Sequence, residues 1–134
     1  MPVINWIGVL VAWIASWLVH GLWYMPFGRP WMRALGWPEA DMQAPRRMPV
    51  GPMLVSLAAE LLMTLMLAGI IGHMGGPTIT IGLVSGALIW LGFVVTTIAV
   101  NNAFQRRPLT LTVIDSGGWL AVLLVQGLVL GLFG

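Results

Sequence analysis

The sequence predicts an all-α integral membrane protein, a four-helix bundle with short interfacial helices in its first cytoplasmic loop. Three observations predict it. Of the 134 residues, 59% are hydrophobic and 7% charged, where a soluble domain carries roughly a quarter charged residues. Mean hydropathy is +0.95. The few charges cluster, leaving stretches longer than the ~20 apolar residues that cross a hydrocarbon core of ~30 Å.

Helix one reads from Val3 to about Tyr24, because no charge precedes Arg29. No basic segment precedes this run and no small-residue cleavage pattern follows it, so it is expected to stay in the mature protein. Residues 25–49 form an interfacial loop in which Trp31 and Trp37 lie among arginines, a headgroup-region pattern. Pro38-Glu39-Ala40-Asp41 inside it reads as a helix start, with proline first and acids near the positive dipole end. Between Arg47 and Arg106 the only charge is Glu60. Gly75-Gly76-Pro77 breaks that stretch, since glycine tolerates turn dihedrals and proline cannot continue a helix interior. Helix two then spans about Pro52 to Gly72 and helix three about Thr78 to Val100. Helix four, about Leu109 to Phe133, contains only Asp115 as a charge. Residues 1–134 are thus expected to form a single transmembrane domain.

All six basic residues are arginines, and they occupy only the loops after helices one and three. The positive-inside rule puts both loops in the cytoplasm and both termini outside. A partial echo, Phe27-Gly28-Arg29-Pro30 and Phe104-Gln105-Arg106-Arg107-Pro108, reads either as two related hairpins or as convergent loop chemistry. With no lysine and no basic run longer than two residues, nucleic-acid binding is excluded. Absence of cysteine removes disulfides and thiolate chemistry.

Polar residues inside the spans are the candidate functional groups. Glu60 lies roughly 14 Å into helix two, near the bilayer midplane, where an ionised carboxylate is costly unless protonated, paired or watered. Ser56, Glu60 and Thr64 form an i, i+4, i+8 line that should face the bundle. Glu60 is either a proton- or solute-handling acid or a neutral group bonding helices together. Helix one places Trp6, Trp13, Trp17, His20 and Tyr24 on one face, read as packing or as a ligand wall. Asp115 opens helix four, with Trp119, Val122 and Gln126 following on its face. It reads as a helix-start acid, a partner of Arg106 or Arg107, or part of a cytoplasmic vestibule with His20, Trp23, Tyr24, Asn101 and Asn102, floored by Glu60. Gly82, Ser85, Gly92 and Thr96 share a face of helix three, and Gly127 and Gly131 form a GxxxG pair on helix four. Such stripes permit close helix approach within the bundle or between protomers. His20 and His73 fall on opposite membrane sides, no ligand cluster has metal spacing, and no nucleophile or phosphate-loop constellation is present. No cofactor and no catalytic residue are therefore expected.

The run Trp23-Tyr24-Met25-Pro26-Phe27-Gly28-Arg29-Pro30-Trp31-Met32, followed by Leu35-Gly36, resembles a bacterial family of small four-span membrane proteins filed as domain of unknown function 1761. The resemblance continues through the asparagine-bearing end of helix three with Phe104 and Arg107, and through Asp115, Gly118 and Trp119. Family members often carry lysines in the first loop where this chain has arginines. The resemblance implies the same four-helix membrane bundle and assigns no activity. Two functions fit the residues: an oligomeric small-solute or proton-coupled transporter using Glu60, and an accessory or scaffold subunit of a larger membrane complex. The expected partners are the lipid bilayer and either further copies of the chain or other membrane subunits.

Overall fold

The computed structural model describes residues 3–134. Among them every regular element is a helix, in the order α1 (Trp6–Ala34), α2 (Glu39–Gln43), α3 (Val50–His73), α4 (Ile79–Ile89), a π-helical turn (Trp90–Val94), α5 (Val95–Phe104) and α6 (Leu109–Leu132). Four helical rods are long and apolar enough to cross a membrane: α1, α3, α6 and the continuous rod Ile79–Phe104. The all-α membrane bundle expected from hydropathy is therefore the observed architecture.

The largest departure from the sequence reading is at the end of the first helix, expected near Tyr24. It runs on through Pro26 and Pro30 to Ala34. Each proline removes one N–H from the helix ladder but leaves the rest intact, and a helix held by neighbouring helices tolerates that loss. Its 29 residues make a rod of ~43 Å, longer than the hydrocarbon thickness, so α1 tilts or protrudes. Termination comes instead from Gly36 at φ +79°, where the Gly36 and Trp37 amides donate back to the Arg33 and Met32 carbonyls at 3.0 and 3.1 Å. This is the glycine C-cap that L side chains adopt with strain. Only α2 is helical in the remaining loop. The echoed segments also part here: Phe27 to Pro30 is helix interior, whereas Gln105 to Pro108 is a turn with Arg106 at φ 56°.

α6 is the central element, packed against α1 on one side and α4 on the other, while α3 makes sparser contacts with its neighbours. The α4–α6 seam is built from small residues. A Cβ at Gly82 would collide with the Gly127 carbonyl, one at Gly86 would lie 2.7 Å from the Leu123 carbonyl oxygen, and one at Gly131 would lie 2.5 Å from that of Thr78. The glycine stripe thus serves contact within the bundle. Gly92, expected on the same face, is exposed with open space around its Cβ position, and Thr96 is exposed too. The reason is the π turn: its extra residue shifts the helical face beyond Trp90, so Gly92 and Thr96 no longer continue the Gly82–Ser85 face.

The two ends are tied separately. Asn5 caps α1 by accepting from the Ile7 and Gly8 amides, and its Nδ2 donates to the Phe133 carbonyl at 2.8 Å. At the opposite end Arg107 Nη1 reaches the Leu35 carbonyl at 3.3 Å, so both arginine loops lie at one end of the bundle. Between them Val9, Ala12, Leu67, Ile71, Leu123 and Leu130 form the apolar core.

Replacing Gly127 by valine is expected to destabilise the bundle by about 1–3 kcal/mol, because the α4–α6 backbones must separate. Gly92→Ala should leave stability within about 0.5 kcal/mol. Unfolding midpoints in detergent check both, and equal midpoints for the two variants would contradict the seam.

Candidate functional site

A polar group in hydrocarbon has no water to turn to, so each must find its partner within the bundle. Helix α1 supplies most of the donors. On its α3 side, Trp13 Nε1 donates to the Leu57 carbonyl at 2.8 Å and Trp17 Nε1 to Ser56 Oγ at 3.0 Å. One turn further, His20 Nδ1 lies 2.6 Å from Glu60 Oε1. On its α6 side, Trp23 Nε1 donates to the Ile114 carbonyl at 2.9 Å and the Tyr24 hydroxyl to Asp115 Oδ1 at 2.7 Å. The predicted stripe therefore divides between two neighbouring helices, and Trp6, at 66% exposed, faces outward.

Glu60 is the centre of this arrangement. It is 0% exposed, ten residues into α3, hence ~15 Å from that helix end and near the depth of a bilayer midplane. Its neighbour on the same face, Thr64, is buried and spends its hydroxyl on the Glu60 carbonyl at 2.7 Å. That carbonyl also accepts from Gln126 Nε2 at 3.2 Å, and the same amide nitrogen reaches Ser16 Oγ at 3.1 Å. Ser16 and Gln126 join the site although neither was among the candidates. Ser16 lies one helical turn before His20, and Gln126 continues the Asp115 face, so both signals were present as spacing.

His20 is held by its surroundings as well as by Glu60. Its ring packs against Trp119 with centroids 4.4 Å apart and against Tyr24 at 5.7 Å. Space for Trp23 and His20 exists because Gly117 and Gly118 lack side chains: a Cβ at Gly117 would lie 2.7 Å from Trp23, and one at Gly118 would lie 3.0 Å from Trp23 and 3.5 Å from His20. The result is a file of titratable side chains, Glu60, His20, Tyr24 and Asp115, running from the bundle interior toward the arginine-bearing end.

Satisfaction of this file is incomplete. Glu60 Oε2, His20 Nε2 and Gln126 Oε1 are buried without a protein partner, as is Ser85 Oγ on α4. Unmade bonds of this kind cost about 1–3 kcal/mol each, more for a charged group, unless water supplies the partner.

Two expected members behave otherwise. Asn101 is exposed and outside the cluster, because the π turn has rotated the end of the third span. Asn102 donates to Thr112 Oγ1 at 3.1 Å, joining α5 to α6 near the loop. Asp115 sits in the second turn of α6 and bonds Tyr24, and among the described residues it makes no ion pair with an arginine. No group of metal-ligating side chains is found among the described residues.

Between α1 and α3 a groove of about 680 Å³ leads in from the surface, lined by Trp17, Leu18, Leu22, Pro52 and Met53 and reaching His20 and Tyr24. A smaller cavity of about 340 Å³ lies at the other end, beneath the Gly75-Gly76 turn and beside Asn5 and Phe133. The apolar core separates it from Glu60.

A family model described as "Protein of unknown function (DUF1761)" matches residues 7–131, and the chain belongs to that family. No curated protein and no solved structure matches it.

That family description gives no residue a role, so the geometry is tested directly. A double-mutant cycle of Tyr24→Phe with Asp115→Asn, read by unfolding in detergent, is expected to give a coupling of about 0.5–1.7 kcal/mol, the range for side-chain hydrogen bonds between membrane helices. Additive effects would show that the two side chains do not meet.

Proposed function

We propose that this DUF1761 member is a small proton-handling permeation protein, coupling passage of a small solute to protonation at Glu60. One observation carries the reading: a fully buried acid near mid-span, held by a single basic ring, with the second oxygen of the acid and the second nitrogen of the ring both unpaired. An acid serving only to join helices gains most when every lone pair is matched. This one leaves half its bonding capacity open, beside a groove that reaches its partner. Tyr24 and Asp115 extend the file toward the arginine loops, which the positive-inside rule assigns to the cytoplasm; the membrane is the bacterial inner membrane that the family resemblance implies. Four helices enclose little room, so the working form is an oligomer. Its partners are lipid and further copies of the chain.

The second reading, an accessory subunit of a larger complex, draws on the third span. There Leu88, Leu91, Phe93 and Val100 are all more than half exposed, a face that another membrane chain would cover. Co-purification of other membrane chains after mild extraction favours this reading, and isolation as a lone homo-oligomer counts against it.

In vesicles reconstituted with the purified chain, an imposed pH gradient is expected to dissipate through the protein. Glu60→Gln should reduce that flux to the protein-free background, whereas Leu62→Ala, on the exposed side of the same helix, should leave it unchanged. Equal flux through wild type and Glu60→Gln would remove Glu60 from the pathway and the reading with it.

A further inference from the structure

The largest charged feature of the bundle is its arginine-bearing end. All six arginines are exposed there, and so are the two acids of the same loops, Glu39 and Asp41. No arginine makes an ion pair among the described residues, where the only such pair is His20 with Glu60. A guanidinium is never deprotonated in a protein, so this surface is cationic at every working pH. Arg46 is occupied in part, its guanidinium carbon lying 4.5 Å over the Trp37 ring. The turn between α5 and α6 is placed differently.

α1 and α5 end in the same cap. At α1 the residue after the C-cap is Gly36, at φ +79°, and the next amide, that of Trp37, returns five residues to the Met32 carbonyl. At α5 the equivalent residue is Arg106, at φ 56°, and the Arg107 amide returns to the Asn102 carbonyl at 2.9 Å. Glycine takes this left-handed conformation freely, whereas an L side chain is strained in it. Arg106 is the one non-glycine residue with positive φ among the described residues. An arginine therefore stands where glycine would fold more easily. Its neighbour Arg107 donates to the Leu35 carbonyl at 3.3 Å, which draws a second guanidinium to the end of α1, two residues beyond Arg33. The first turn of α6 adds no acid. Like charges brought together repel, and an anion at this junction relieves the repulsion.

The flanking side chains say which anion. Phe104 ends the third span and Leu109 begins the fourth, and they are 87% and 76% exposed. Apolar groups so open suit acyl chains rather than water, and the arginines between them then reach the headgroup layer. We propose that the α5–α6 turn, against the end of α1, is a docking surface for an anionic phospholipid. Arg106 and Arg107 hold the phosphate, whose paired oxygens match the guanidinium fork, and the acyl chains lie along Phe104 and Leu109. A free phosphate would use the arginines and leave both apolar side chains without a role. This surface is independent of Glu60 and of the proton-handling reading above.

The experiment titrates the full chain in mild non-ionic detergent with phosphatidylglycerol and with phosphatidylcholine of the same acyl chains, and counts retained lipid by native mass spectrometry. Phosphatidylglycerol is expected to bind at least about tenfold more tightly. Arg106→Gln with Arg107→Gln should bring that ratio to about one. Arg46→Gln with Arg47→Gln removes the same charge from the other loop and should leave the ratio within about twofold, since exposed charges beyond a screening length contribute little. Arg106→Gly should weaken phosphatidylglycerol binding while raising the unfolding midpoint, because the strained residue is relieved; a purely structural arginine would not separate the two readouts. Equal retention of both lipids by the wild type would overturn the proposal. Equal losses in the two double variants would do so as well, leaving only a diffuse cationic surface. Displacement of the lipid by inorganic phosphate at the same concentration would make the ligand a free anion, and lipid binding only after removal of a co-purified acidic membrane chain would make the turn a protein contact; either result rejects the lipid.

Discussion

The polar contacts at mid-span centre on one approach, the 2.6 Å distance from His20 Nδ1 to Glu60 Oε1. A carboxyl at 0% exposure in hydrocarbon is tolerable only with a partner, and the partner must come from another helix at the same depth. That demand sets the register of α1 against α3. Once His20 faces Glu60, the preceding turns put Trp17 at Ser56 and Trp13 at the Leu57 carbonyl. The following turn puts Trp23 and Tyr24 at Ile114 and Asp115 of α6. Indole and phenol suit these places because each joins a large apolar body to one polar tip.

Legibility in the sequence follows from how local each cause is. The spans are written in absent charge, because lipid penalises charge wherever it falls along a helix. Glu60, His20 and Asp115 stand out for the same reason, and the inward line of Ser56, Glu60 and Thr64 follows from helical spacing alone. Pairing is different: nothing in the one-dimensional pattern distinguishes His20 meeting Glu60 from His20 meeting Asp115, since both choices leave it in the same half of the bundle. The extension of α1 was hidden because a proline's cost depends on whether neighbouring helices hold the rod in place. The π turn at Trp90–Val94 was hidden too. Its one extra residue separates Gly82 and Ser85, which pack, from Gly92 and Asn101, which do not.

The tightest packing and the buried acid lie in different parts of the molecule. The α4–α6 seam brings backbones together through Gly82, Gly86, Gly127 and Gly131, the closest packing two helices achieve and one without flexible side chains. The acid sits elsewhere, on α3, the rod with the sparser contacts. An element that must let a proton or a solute reach a buried group belongs at the low-stability end of a structure, since opening a glycine seam disturbs the whole bundle.

The two ends of the bundle differ in the same sense. From the arginine-bearing end, the groove along Trp17 and Leu22 reaches His20 without crossing the packed core. From the other end, the cavity beneath Gly75 and Gly76 stops at Leu130 and Ile71. Approach to the His20–Glu60 pair is therefore asymmetric: a groove reaches His20 from one end, and packed apolar side chains close the other. On the proposed proton-handling reading, exchange with the far side requires Ile71 to move away from Val9 and Leu130, its neighbours in the core. Because Ile71 and Glu60 lie on the same rod, three turns apart, that displacement is coupled to the His20 contact through α3.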